Sequence, residues 1–127
     1  MRRGDEYLVL HRSPHGGSYW HCVAGALEPG EGYQEAAARE LAEETGLVAE
    51  PAEVGGPYAY PVDEEPRYRD LVPPGTTEIV VRMFLAEAPP GWEPRLDHEH
   101  DEYRWCSREE ALELLHWPEP REVLREL

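Results

Sequence analysis

Glu40, Glu43 and Glu44 stand at i, i+3 and i+4 in a run rich in Ala, Glu and Leu. On a helix that spacing puts all three on one face. Carboxylates crowded there repel one another, and each becomes harder to ionise. A divalent cation removes that cost. Mg2+ or Mn2+ prefers hard oxygen ligands and keeps water and phosphate oxygens in its shell. A carboxylate-only cluster therefore points to these ions rather than to zinc. The competing reading is a solvated Glu-rich face, common on surface helices.

The elements that must position these side chains follow from pattern. Gly32 to Thr45 is predicted as a helix of strong helix formers, with Gly46 placed for a left-handed cap. Before it runs the loop Gly25-Ala26-Leu27-Glu28-Pro29-Gly30. Gly25 and Gly30 are expected to let this loop turn sharply and bring backbone close to a phosphate. Strands are expected at Tyr7 to His11, Tyr19 to Val23 and Leu47 to Val54, the last interrupted at Pro51. Thr76 to Ala86 reads as the central strand and Glu102 to Cys106 as the last one. Pro57 to Pro74 reads as a long loop beside a short strand. Ser107-Arg108-Glu109-Glu110 is a capping box opening a helix to about Leu115. Pro120 suits the first position of a C-terminal helix with Val123, Leu124 and Leu127 as its apolar positions. Alternating strands and helices predict an α/β layered fold, with residues 1–127 as one domain.

Charge limits the partners. The 12 basic and 27 acidic residues give a formal charge of −15, which argues against general nucleic-acid binding and against an anionic membrane surface. A phosphate-rich small molecule remains compatible, because a bound cation inverts the local field. Cys22 and Cys106 are isolated and suit a reducing compartment. Met1-Arg2-Arg3 leads straight into Gly4-Asp5-Glu6, without the apolar stretch of a signal peptide. The expected setting is soluble and cytoplasmic.

The surroundings of the three glutamates are more specific. Gly25, Glu31, Arg39, Glu40, Leu41, Glu43, Glu44, Gly46 and Leu47 match all nine specified positions of G-x5-E-x7-R-E-U-x-E-E-x-G-U. By this signature the sequence resembles the Nudix hydrolase family, MutT-like in type. The resemblance implies an α/β/α sandwich with a mixed sheet and a catalytic loop–helix–loop. It implies hydrolysis of a nucleoside diphosphate linked to another group, with Mg2+ or Mn2+ as cofactor. Glu40, Glu43, Glu44 and the carbonyl of Ala24 are the metal ligands it implies. Arg39 would orient the glutamates, and Glu31 would stabilise the loop–helix unit or add a ligand. A carboxylate would deprotonate the attacking water. Glu40 and Glu99 are both candidates for that base.

Outside the signature, Glu99 stands six residues before Trp105, a spacing similar to that of the extra carboxylate in MutT-type enzymes. Glu102 is the reserve, and a solvated charge run is the alternative. His98 and His100 are read as exposed loop histidines rather than ligands. Arg12 ends the first strand, where family pyrophosphohydrolases often carry a phosphate-facing Arg. Arg67 and Arg69, with Tyr58, Tyr60 and Tyr68, are candidates for gripping phosphate and stacking on a base, or form a solvated loop. Tyr19 and His21 are candidates for a base pocket, Trp20 for the core. Trp92 and Trp117 read as structural.

The runs Tyr19 to Glu31, matching F/Y-W-x-x-V-x-G-x-x-E-x-G-E, and Glu99-His100…Tyr103-Arg104-Trp105 resemble those of dihydroneopterin triphosphate pyrophosphohydrolases. The implied substrate is a (d)NTP or pterin triphosphate, cut to monophosphate and pyrophosphate. Dinucleoside polyphosphates, ADP-ribose or nucleotide sugars are the alternative substrates, and a non-catalytic nucleotide sensor is the alternative class. Only three residues precede the Gly4-Asp5-Glu6-Tyr7 turn, where the family usually has a strand. Either the chain begins further upstream, or the sheet lacks that strand and a partner copy, as in a homodimer, covers its edge.

Overall fold

Four consecutive apolar residues, Tyr7 to Leu10, are all buried. Successive strand side chains point to opposite faces, so this run must be covered on both. The computed structural model describes residues 1–14, 17–62 and 72–127. In it, strand β2 (Glu6–Arg12) is the centre of a four-stranded sheet with β1 (Arg2–Arg3), β3 (Trp20–His21) and β8 (His100–Cys106). β8 pairs with β2 from Tyr7 to Arg12, while β1 and β3 pair with its two ends. A strand has two edges, so β1 and β3 share the one that β8 leaves.

Tyr7 and Val9 pack with Cys106, Ala111, Leu115 and Leu124. These come from β8 and from the corner of helices α2 (Arg108–Leu114) and α3 (Pro118–Glu126). On the other face, Leu8 lies opposite Trp105 in register. Trp105 packs on a second cluster of Leu41, Leu47, Ala86 and Ala88, to which helix α1 (Tyr33–Thr45) contributes Leu41. The sheet thus lies between two helical layers, the expected α/β/α sandwich. Leu10 is fully buried, and its truncation to Ala costs about 2–5 kcal/mol.

Several expected elements shift. Thr76 to Ala86 is not the central strand. It splits into β6 (Glu78–Val81) and β7 (Phe84–Leu85), which among the described residues pair with β5 (Tyr58–Pro61) and β4 (Ala52–Glu53). At the break stands Arg82, whose exposed guanidinium reaches Glu53 Oε1 at 3.2 Å and lies 4.8 Å from the Tyr33 ring. Only Ala52–Glu53 of the Leu47 to Val54 stretch forms a strand, since Pro51 has no N–H to donate. Only Trp20–His21 of Tyr19 to Val23 is paired. β8 begins at His100, two residues earlier than expected. α3 begins at Pro118 rather than Pro120, although Val123 and Leu124 are buried as read. The position before the first turn holds a short strand after all. β1 pairs antiparallel with β2, and Arg2 bridges Glu87 in parallel. The ladders are antiparallel, with parallel pairing only at isolated bridges among the described residues. No helix among the described residues is long and apolar enough to cross a membrane.

Candidate active site

The loop before α1 is built on one turn. The Glu31 N–H donates to the Glu28 carbonyl at 3.0 Å, and Gly30 has φ 79°. With Pro29 ahead of Gly30 this is the pattern of a type II turn. The turn delivers Glu31 to Arg39. Arg39 Nε and Nη2 donate to the two Glu31 oxygens at 2.8 and 3.0 Å. Its Nη2 also reaches the Ala26 carbonyl at 3.0 Å, and its Nη1 reaches Glu40 Oε1 at 2.8 Å and Glu43 Oε2 at 3.3 Å. One guanidinium therefore ties the loop to two of the three helix glutamates through charge-assisted bonds. Arg39 pulls the Glu31 carboxyl down to about 2, with help from the Glu28 backbone.

Gly25 acts differently from expectation. Its φ is not in the left-handed region. A Cβ there would stand 2.1 Å from Glu40 Cδ. Gly25 is required because the Glu40 carboxylate lies against bare backbone, not because the chain turns. Gly30 supplies the turn.

The exit end of α1 has its own fastenings. Gly46 takes φ 84° and its N–H donates to the Ala42 carbonyl. The buried Thr45 donates from Oγ1 to the Leu41 carbonyl at 2.6 Å and accepts from the Leu47 N–H at 3.2 Å. The Thr45 carbonyl accepts the Arg95 N–H at 2.8 Å, which lays residues 95–100 against this end. Glu44 is 2% exposed and His100 5%. His100 Nε2 lies 3.6 Å from Glu44 Oε1, within ion-pair reach but longer than a hydrogen bond. His100 Nδ1 lies 2.8 Å from Asp97 Oδ1. Burial, and then the neighbouring Glu40, pushes the Glu44 carboxyl well above the usual carboxylate range.

This corrects the expectation of two exposed histidines. His98 is exposed, but His100 is buried against the helix. Asp97 was not singled out at all. The signal was the Asp-x-x-His spacing at the start of a strand.

Among the described residues, no three of His, Cys, Asp and Glu form a ready-made metal cluster. Arg39 holds Glu40 and Glu43. The donor set nevertheless suits a divalent cation. Glu44 Oε2 is buried with no hydrogen-bond partner, beside a second carboxylate. A buried carboxyl with an unpartnered oxygen holds a proton or meets a cation. The all-oxygen chemistry matches Mg2+ or Mn2+.

Other expected residues divide into groups. Arg12 Nη1 lies 3.5 Å from Glu99 Oε2, and Arg12 Nε is buried without a partner. These two residues therefore come together at the end of β2. Glu102 lies opposite His11 on β8 and reaches Arg104 at 3.9 Å. Tyr19, whose carbonyl accepts the Arg12 N–H, is the hub of a ring cluster. His21, His116 and Trp117 lie 6.0, 5.2 and 5.9 Å from it. Sequence reasoning missed His116 and treated Trp117 as structural. Trp20 packs on the first core cluster and Trp92 on the second, as read. Tyr58 and Tyr60 lie on β5. Ala24 is exposed at the head of the loop. Arg67, Arg69 and Tyr68 fall outside the described residues.

A family model for the NUDIX domain matches residues 1–127. A curated relative from Myxococcus xanthus, named octanoyltransferase, is 35% identical over 97% of this chain and 33% of its own. The chain spans about one third of that relative's length. The asymmetrical bis(5'-nucleosyl)-tetraphosphatase of Mus musculus is 34% identical over 95% of this chain and 77% of its own. In fold, the E. coli dihydroneopterin triphosphate pyrophosphohydrolase aligns with a TM-score of 0.79 at 21% identity, over 98% of this chain and 86% of that one. The match over the whole chain and the intact loop–helix signature lead to one conclusion: this chain belongs to the Nudix family of hydrolases.

Proposed function

We propose that residues 1–127 act as one domain that hydrolyses a phosphoanhydride bond in a nucleoside or pterin polyphosphate, with Mg2+ or Mn2+ as cofactor. The observation that carries this reading is the buried, unpartnered oxygen of Glu44 beside Glu40. Glu40, Glu43, Glu44 and the Ala24 carbonyl would hold the cation. When bound, it supplies charge neutralisation at the diphosphate and polarises phosphorus. Arg39 keeps Glu40 and Glu43 in place. Glu40 or Glu99 accepts the proton of the attacking water. Arg12, with one guanidinium nitrogen unpartnered, meets phosphate oxygens, and Arg67 and Arg69 are further candidates. Tyr19 and His21 offer ring faces to the base or pterin.

The first substrate class is a (d)NTP or pterin triphosphate. Water attacks phosphorus, the α–β bridging bond breaks, and monophosphate and pyrophosphate leave. The second is a dinucleoside polyphosphate, favoured by the similarity to the mouse tetraphosphatase. The deciding experiment is product analysis on (d)NTPs, dihydroneopterin triphosphate, diadenosine polyphosphates and ADP-ribose, with Mg2+, with Mn2+ and with chelator. Chelator-sensitive pyrophosphate supports the first class. Two nucleotides without pyrophosphate support the second. No turnover anywhere, with Glu43→Gln indistinguishable from wild type in nucleotide binding, would sink the hydrolase reading and favour a sensor.

A further inference from the structure

The buried histidine beside Glu44 has no part in that scheme. We propose that His100 is a positioning residue: locked by Asp97, its buried ring stands against Glu44 Oε1 and leaves Oε2 to ligate the divalent cation. This rests on the metal-dependent reading above.

Three observations carry it. First, the two side chains are almost fully buried, His100 to 1% and Glu44 to 3% of side-chain exposure. Neither has water at hand to replace the other. Second, the ring is fastened from behind. Asp97 Oδ1 takes His100 Nδ1 at 2.8 Å and the Glu99 N–H at 3.2 Å, so the anchor is itself fixed by its own turn. Third, ring and carboxylate arrive on separate pieces of chain. The Arg95 to Thr45 backbone bond holds those pieces in register. The other acidic groups at this end, Glu40 and Asp97, both disfavour the charge on Glu44. Outer partners such as His100 orient a ligand and hold its rotamer.

The ring geometry provides the test. An Asn amide nitrogen can stand where Nδ1 stood, and a Gln amide nitrogen where Nε2 stood. His100→Asn therefore keeps the Asp97 contact and loses the Glu44 contact. His100→Gln does the reverse. Mn2+ binding is read by the loss of the free-ion electron paramagnetic resonance signal, with turnover measured alongside. The expected result is Mn2+ affinity at least about 10-fold weaker in His100→Asn, with recovery of most of it in His100→Gln. In turnover, kcat falls in His100→Asn while KM stays near wild type. The opposite order, or wild-type binding in both variants, overturns the proposal.

Should His100→Asn fail to fold, Asp97→Ala decides. It frees the ring from the rear and is expected to weaken Mn2+ several-fold. Binding equal to wild type overturns the proposal. Failure of the broader reading looks different. There, wild type itself binds no Mn2+ and turns over equally in chelator, which overturns both.

Discussion

Glu31 and Glu44 lie thirteen residues apart on one loop–helix unit and have opposite electrostatics. Glu31 takes two bonds from Arg39 and one from a backbone N–H, and its carboxyl is held at about 2. Glu44 is enclosed, with one oxygen unpartnered and another carboxylate beside it, and its carboxyl is pushed up. The loop end is a fastening whose charges are already balanced. The exit end carries an unbalanced charge that a cation would balance. Being a glutamate in the signature does not define a role; the neighbours do.

The sharpest break in this contrast is Glu44→Gln. It is expected to lower kcat at least about 100-fold, beyond the loss typical of an outer-shell partner. Steady-state turnover at saturating Mg2+ checks it. Activity within a few-fold of wild type removes Glu44 from the chemistry.

Gly25→Ala comes next. Its new Cβ displaces the Glu40 carboxylate, a movable side-chain end. Activity should fall by roughly 10-fold or more while stability moves by less than about 1 kcal/mol. Denaturant melts beside the assay separate the two. A large stability loss with full activity would put Gly25 in the fold rather than in the site.

Arg39→Lys sharpens the other end. Lysine cannot reproduce the planar fork that grips Glu31, Glu40 and Glu43 together. Activity should drop by about 10-fold. The same variant changes acid stability. Because Glu31 is depressed in the folded state, its contribution is full above the unfolded value of about 4.3 and is lost as pH falls through about 2. Acid unfolding of Arg39→Lys should therefore begin at higher pH than in wild type. Identical acid curves would mean that Arg39 does not set the Glu31 carboxyl.

Ser107→Ala is the smallest change. It removes the reciprocal cap in which the Ser107 hydroxyl accepts the Glu110 N–H and the Glu110 carboxylate accepts the Ser107 N–H. The cost is about 1 kcal/mol of stability, with turnover unchanged. A turnover defect would show that α2 communicates with the site.

Much of this was legible in the sequence where local rules decide. The glutamate spacing, Gly46 as a left-handed cap and the Ser107 capping box depend on residues within one or two turns, and the structure has all three. The signature marked Arg39 and Glu31 as residues of the loop–helix unit, but not the bond between them. What escaped depends on distant chain. His100 is buried against Glu44, fifty-six residues back, and Arg95 just before it pairs with Thr45. Thr76 to Ala86 has the composition of a central strand, yet its neighbours are the short β4 and β5, so it lies in small ladders of its own. Gly25 was read through its freedom to turn, whereas the reason is a side chain fifteen residues later. The His116–Trp117 contact with Tyr19 joins the two ends of the chain and leaves no local trace.

The central claim is that the buried charge of Glu44 is what calls for a cation. Thermal melts of wild type and Glu44→Gln, in chelator and in Mg2+, test it most directly. A carboxyl raised in the folded state holds its proton there longer than in the unfolded chain. Its contribution is full below the unfolded value and is lost as pH rises. Wild type in chelator should therefore lose Tm relative to Glu44→Gln as pH rises from about 4.3 to about 9, and Mg2+ should restore it. Glu44→Gln should show neither the loss nor the rescue. Parallel curves for the two proteins, with equal response to Mg2+, would contradict the account.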